Sequence, residues 1–204
     1  MKLLILTQKV DINDDVLGFM HGWIVEFAKH CEKVTVICLY KGEYDLPENV
    51  KVLSLGKEEF IRDSQHSHKI RRLALYLYRF YKYIWRERKN YDKVFVHMNP
   101  EYAILGGLFW RVLGRNIGLW YVHKAVNLKL RLAEKLVNII FTASPESFGL
   151  KSKKVNILGH GIDFKRFLTK QSDPTAKSNK FKIVYVGRIS KIKNQELLIR
   201  AIDI

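Results

Sequence analysis

The sequence predicts an α/β fold built on a doubly wound parallel sheet, followed by the truncated beginning of a second domain. Two observations predict the sheet: apolar runs rich in Val, Ile and Leu recur along the chain, and stretches of helical period lie between several of them. A third observation, a polar segment followed by a new apolar run, predicts the second domain. Because the runs are apolar on both faces, we expect the sheet to be covered on both sides.

The elements follow in order along the chain. The predicted strands are Lys2–Leu6, Val34–Leu39, Val50–Leu53, Lys93–His97, Ile117–Val122, Asn138–Ala143 and Val155–Leu158. The predicted helices between them are Phe19–His30, Ile70–Trp85, Tyr102–Leu113 and Leu128–Leu136. Ligands of such sheets bind at the carboxyl ends of the strands, so the segments that follow the strands form the predicted site region.

The polar segment 171–180 has one proline and no apolar period, which is typical of a linker. A strand is predicted directly after it at Phe181–Val186, and a helix at Gln195–Ile204 that stops without a cap. The predicted domains are 1–172, a linker at 173–180, and an incomplete second domain at 181–204.

Composition narrows the class of protein. With 204 residues, 48% of them hydrophobic, the chain is predicted to be globular and not disordered. Two cysteines, Cys31 and Cys38, have neither metal-site spacing nor the number of a disulfide-stapled domain, so we predict a cytoplasmic protein. A net charge of +16 favours anionic partners such as polyanions, lipid head groups or phosphorylated substrates.

Residues 181–204 resemble the opening of the donor domain in family 4 retaining glycosyltransferases: an apolar strand, Gly187-Arg188-Ile189-Ser190, two variable positions, Lys193, and a Leu-Leu-Ile-x-Ala helix. The resemblance implies a GT-B fold with a Rossmann-like acceptor-binding domain at 1–172. It also implies that Arg188 and Lys193 hold the diphosphate of a nucleotide sugar. A guanidinium and an ammonium can stabilise a departing diphosphate, so no metal or other cofactor is expected. Asn194 stands where the family has glycine.

The acceptor domain resembles the family in outline. His123, after the fifth strand, matches a family histidine near the donor sugar, and is the predicted catalytic-region residue with a positioning role. Gly18 matches the first of two loop glycines, although Phe19 replaces the second, and a simple turn glycine is the alternative. The further predicted contacts are His97, at a strand end, and Ser144, which is expected to cap a helix opened by Pro145.

The resemblance implies an enzyme that moves a sugar from a nucleoside diphosphate to a glycan or lipid-linked acceptor, with retention and without a protein nucleophile. The family's later acidic motif has no counterpart before Ile204. We therefore expect little activity from this chain alone.

One segment is both basic and aromatic. From Lys69 to Lys89 there are eight basic residues and one acidic residue. The helical wheel predicts an apolar stripe made of Ile70, Leu73, Ala74, Leu77, Phe80, Tyr81 and Ile84, and a basic face that exposes Tyr76 and Tyr83. Docking on an anionic surface at the inner face of the membrane is one interpretation, and a core-packed helix with a solvated basic face is the other.

Two other classes of function, nucleic-acid binding and dinucleotide-dependent oxidoreduction, have less support in the sequence. A basic nucleic-acid-binding module is suggested by charge alone, and no nucleic-acid motif supports it, so nucleic acid is not a predicted partner. A dinucleotide-dependent oxidoreductase would need Gly-x-Gly-x-x-Gly after the first strand, and the segment Thr7–Asp15 contains no glycine.

Overall fold

The structure is a computed structural model that describes residues 1–60, 69–162, 183–187, 189, 191 and 193–202. The chain divides into two compact units, Met1–Gly161 and Ile162–Ile204.

The first unit contains a sheet of seven strands in the order β3-β2-β1-β4-β5-β6-β7, and every neighbouring pair is parallel. The strands are β1 (Lys2–Val10), β2 (Lys33–Lys41), β3 (Val50–Ser54), β4 (Lys93–His97), β5 (Asn116–Trp120), β6 (Ile139–Thr142) and β7 (Val155–Ile157). The seven strands predicted between Lys2 and Leu158 are confirmed, and the protein has the doubly wound, Rossmann-like α/β fold.

Four helices connect these strands: α1 (Phe19–His30), α2 (Lys69–Arg86), α3 (Pro100–Val112) and α4 (Leu128–Leu136). Short 3-10 helices lie at Lys57–Phe60 and Pro145–Ser147. The second unit contributes α5 (Gln195–Ile202).

Alternate residues of each strand face two separate cores. Leu3 and Ile5 of β1 pack with Met20 and Ile24 of α1 on one face of the sheet. On the other face, the side chains of Leu4 and Leu6 join a core to which α2, α3 and α4 contribute buried residues, among them Phe80, Trp110 and Leu130. The sheet is therefore covered on both sides, as its apolar strands require.

The face by which α2 packs differs from the predicted stripe. Phe80 and Ile84 are buried, but Tyr76 and Tyr83, predicted on the exposed face, pack against the core with them. The stripe members Ile70, Leu73 and Tyr81 are instead exposed. A helical wheel orders residues around an axis but cannot show which arc meets the sheet, and here the arc that packs is rotated from the most apolar one.

The predicted strand Phe181–Val186 is wrong in its described part. Residues 183–186 have no strand geometry, and their side chains are exposed. A strand needs a hydrogen-bonded neighbour, and no strand lies in the described part of this unit. The predicted helix that follows is confirmed as α5, with Asn194 just before it at φ 49°. Asparagine tolerates this left-handed conformation better than most residues with a side chain.

Both cysteines are buried and unpaired. Burial raises the pKa of the Cys38 thiol to about 12, which leaves it protonated at neutral pH. Among the described helices none has the length and apolar character to span a membrane.

Candidate functional site

The strand order reverses between β1 and β4, and the carboxyl ends of these two strands define the switch point at which such sheets bind ligands. Thr7 lies in β1 and His97 closes β4. The Thr7 hydroxyl oxygen lies 3.4 Å from His97 Nδ1, and Gln8 Nε2 donates to Asn99 Oδ1 at 2.8 Å. Side chains from the two strands are thus joined at the crevice.

The ring of His97 is buried, with 1% of its surface exposed. Burial lowers the pKa of this imidazole to about 4, so the ring is neutral at physiological pH. The ring of His97, which was predicted as a contact from its position at a strand end, lies beneath aromatic side chains.

These aromatic side chains come from α1 and β5. Phe19 and Trp23 contact the His97 ring edge to face, with ring centroids 5.7 and 5.9 Å from it. Trp23 also meets Trp120 at 5.0 Å. Phe19 is 45% exposed, so it forms the outer layer of this cluster. Phe19 therefore provides an aromatic surface beside the switch point.

The backbone bends sharply after His97. Met98 has a φ of 62°, which is uncommon for a residue with a side chain, and its N–H donates to Trp120 O at 2.8 Å. The Asn99 N–H donates back to His97 O at 2.8 Å. Strained backbone of this kind concentrates at functional sites.

His123 lies on the exposed segment after β5, which contacts Phe148 through an isolated bridge. The Ala125 N–H donates to His123 Nδ1 at 3.0 Å. Because Nδ1 accepts this bond, a neutral ring carries its proton on Nε2, which can donate to a ligand. Among the described residues, no hydrogen bond or ring contact joins His123 to His97.

Gly18 immediately precedes α1, and its N–H donates to Asp14 O at 2.9 Å. A Cβ at this position would lie 2.5 Å from the same carbonyl oxygen. The turn itself therefore requires glycine, whichever of the two roles predicted for Gly18 it has.

Ser144 precedes Pro145, as expected, but the element that follows is the three-residue 3-10 helix. The Ser144 hydroxyl makes no capping bond to the backbone and lies 2.9 Å from the Ser147 hydroxyl. The predicted cap is wrong because the Ser144 hydroxyl pairs with the Ser147 hydroxyl instead of a backbone N–H.

Arg188 lies outside the described residues. Lys193 is exposed, and its backbone carbonyl accepts a hydrogen bond from the Tyr185 hydroxyl.

A polar cleft of about 450 Å³ beside Lys9, Asp14 and Tyr40 was missed by sequence reasoning. Lys9 Nζ lies 2.6 Å from Asp14 and 4.5 Å from the centre of the Tyr40 ring. The hydrogen bond from Lys9 lowers the pKa of Asp14 to about 2, helped by the N–H groups of Leu17 and Val16. Because Gln8 and Lys9 are both polar, the apolar pattern carried no signal that β1 continues beyond Leu6 to Val10. Groups of three or more His, Cys, Asp or Glu that could hold a metal are absent from the described part.

The parallel sheet and its switch point define a Rossmann-like α/β domain. The chain is similar to the crystal structure of HepE from Anabaena in complex with UDP, with a TM-score of 0.53 at 15% identity. The match covers 82% of this chain and 46% of that one. The HepE complex with UDP-glucose gives a TM-score of 0.51 at 11% identity, with 82% and 46% covered.

MurG from Acinetobacter baumannii gives a TM-score of 0.48 at 10% identity, with 78% of this chain and 46% of that one covered. The chain therefore spans under half the length of these proteins. No protein-family model and no curated protein matches it.

Proposed function

We propose that the chain is the acceptor-binding half of a family 4-like GT-B glycosyltransferase. Its reaction moves a hexose from a nucleoside-diphosphate sugar to a glycan or lipid-linked acceptor, with retention at the sugar. The observation that carries this proposal is the switch-point crevice on a fold similar to HepE, whose structures contain UDP and UDP-glucose. Switch points are where α/β sheets hold their ligands.

In this proposal His123 positions a sugar. Its Nε2–H donates to a sugar hydroxyl while the Ala125 N–H fixes the ring through Nδ1. The ring needs no covalent role, because the leaving diphosphate departs without a protein nucleophile. Gly18, His97 and Ser144 shape the acceptor side: Gly18 holds the turn before α1, and His97 supports the aromatic surface of Phe19 and Trp23.

Arg188 and Lys193 are proposed to bind the donor diphosphate without a metal. A guanidinium can bind two phosphate oxygens at once, and lysine is a common phosphate-binding residue. The location proposed is the cytoplasm, at the inner face of the membrane, because α2 carries exposed basic and aromatic side chains such as Lys82, Tyr78 and Trp85.

Thermal shift of the purified chain against glycans, lipid-linked oligosaccharides and nucleotide sugars tests the proposal. An acceptor at ten times its Kd stabilises the fold by about 1.4 kcal/mol. This raises Tm by about 3–6 °C in a protein of this size. His123→Ala should weaken acceptor binding about 2- to 10-fold through the lost hydrogen bond, while His30→Ala, an exposed histidine of α1, should leave it unchanged.

Two results would count against the proposal: no ligand in these classes shifts Tm, or the two histidine variants behave alike. Turnover of a nucleotide sugar by this chain at the rate of intact enzymes would refute the half-enzyme assignment. The nucleic-acid alternative is tested by salt titration against an unrelated duplex, since phosphate contacts make binding fall steeply with salt.

A further inference from the structure

The outer surface of α2 and α3 contains an apolar groove with a volume of about 590 Å³. Two contacts join α2 and α3 here: Trp85 meets Phe109 with ring centroids 6.0 Å apart, and the Tyr81 hydroxyl donates to Leu105 O at 3.1 Å. The lining side chains are Tyr78, Tyr81, Lys82, Ile84, Trp85 and Phe109. The volume lies within the range of about 300–1,000 Å³ that is usual for small-molecule sites.

Large apolar side chains on and around the groove are exposed to solvent. Tyr78 is 62% and Trp85 58% exposed, and on α3 Leu108 is 69% and Val112 86% exposed. Tyrosine and tryptophan with an apolar body and a polar tip are suited to a lipid–water interface. Exposed apolar side chains beside an apolar groove are typical of an interaction site.

Cations rim the groove on the same face. Lys82 Nζ lies 5.6 Å from the Tyr78 ring centre, and the Arg88 guanidinium lies 4.4 Å from that of Trp85. Within the described residues neither cation pairs with a carboxylate. The nearby acid Glu87 is buried and bonded to Lys51, so the rim presents positive charge.

We propose that this groove binds one hydrocarbon chain of an anionic lipid, with Lys82 and Arg88 holding the head-group phosphate. The apolar lining matches a hydrocarbon chain and the cationic rim matches an anionic head group. Nucleic acid fits less well, because Lys82 is the one charged side chain in the lining and a strand needs a track of phosphate contacts. The inference rests on the membrane part of the proposed function and gives it a site.

Co-sedimentation with vesicles tests the head-group contact. The chain should bind vesicles of phosphatidylcholine with 30 mol% phosphatidylglycerol more tightly than phosphatidylcholine alone. Lys82→Glu with Arg88→Glu should weaken this binding at least about 25-fold, since each basic residue near an anionic surface contributes about fivefold. The matched control is Lys151→Glu with Lys153→Glu, two exposed lysines before β7 with the same charge change, expected to lose less than about threefold.

Tryptophan quenching tests the chain contact. Lipids brominated along the acyl chain should quench the fluorescence of the bound protein, and Trp85→Phe should remove most of that quenching. Trp110 and Trp120 are buried, and the half-buried Trp23 packs on the opposite face of the sheet with α1, so these three should stay unquenched. Tyr44→Ala, an exposed aromatic outside the groove, should leave quenching intact.

Three results would overturn the inference: equal binding to neutral vesicles, equal losses in the two charge-reversal variants, or unchanged quenching in Trp85→Phe. Tighter binding to a DNA duplex than to anionic vesicles would also overturn it. The glycan and nucleotide-sugar thermal shifts report separately on the proposed function, because they need no lipid. If the lipid tests fail while the thermal shifts occur, only the proposed lipid groove is refuted. If the thermal shifts fail while the lipid tests succeed, only the proposed transferase function is refuted.

Discussion

Replacing Gly18 by alanine tests whether the turn before α1 requires glycine at this position. The added Cβ would lie 2.5 Å from Asp14 O and 3.2 Å from Ile12 O, both backbone atoms that cannot swing aside. The carbonyl of Asp14 is also the acceptor of the Gly18 N–H. Relief of the clash must therefore move the backbone and weaken this hydrogen bond.

Overpacking of this kind costs about 1–3 kcal/mol. Each kcal/mol lowers Tm by about 2–4 °C in a protein of 150–250 residues. We therefore expect Gly18→Ala to lower Tm by about 2–12 °C, measured by circular dichroism or calorimetry at one pH and ionic strength.

Gly22→Ala is the matched control, four residues further along α1. A Cβ at Gly22 meets nothing within 4 Å, and alanine is favoured over glycine in a helix by about 0.5–1 kcal/mol. The same substitution should therefore raise Tm by about 1–4 °C. The reasoning is refuted if Gly18→Ala leaves Tm unchanged or raises it, or if the two variants shift Tm in the same direction.

Two further predictions concern stability. The folded pKa of His97 is about 4, below the ordinary 6.5, so between these values the unfolded chain binds a proton that the folded chain does not. The free energy of unfolding should therefore rise with pH across this window by up to about 1.4 kcal/mol per pH unit. His97→Asn should flatten this slope when the free energy is measured by urea titration at several pH values. Equal slopes in the two proteins would contradict the prediction. In Gly107→Val, the Cβ would lie 2.9 Å from Leu136 Cβ, where α3 meets α4. The urea midpoint should fall with a loss of about 1–3 kcal/mol, and an unchanged midpoint would show that the helices can separate freely.

The sequence pattern predicts the first unit closely because its elements are specified locally. The bounds of α1 and α4 match the prediction, and each predicted strand is present. Successive strand residues are apolar because both faces of the sheet are covered. The apolar runs in the sequence therefore reflect the architecture directly.

The site was predicted only in part, because side-chain environment depends on contacts distant in sequence. His97 was identified by its position at a strand end, but its burial depends on Phe19 and Trp23 from another element. The ion pair of Lys9 with Asp14 was missed because β1 is longer than its apolar run. For α2, the wheel identified an amphipathic helix without identifying the arc that packs.

The order of the strands also bears on how the chain is made. β1 lies in the middle of the sheet, paired with β2 on one edge and with β4 on the other. A ribosome adds about 5–20 residues per second, so β2 is available soon after β1, while Lys93–His97 follows only several seconds later. During that interval, the edge of Leu3–Leu6 that later pairs with β4 has no neighbouring strand. The nascent protein therefore exposes an aggregation-prone strand, and a chaperone that covers this edge should raise the yield of folded chain.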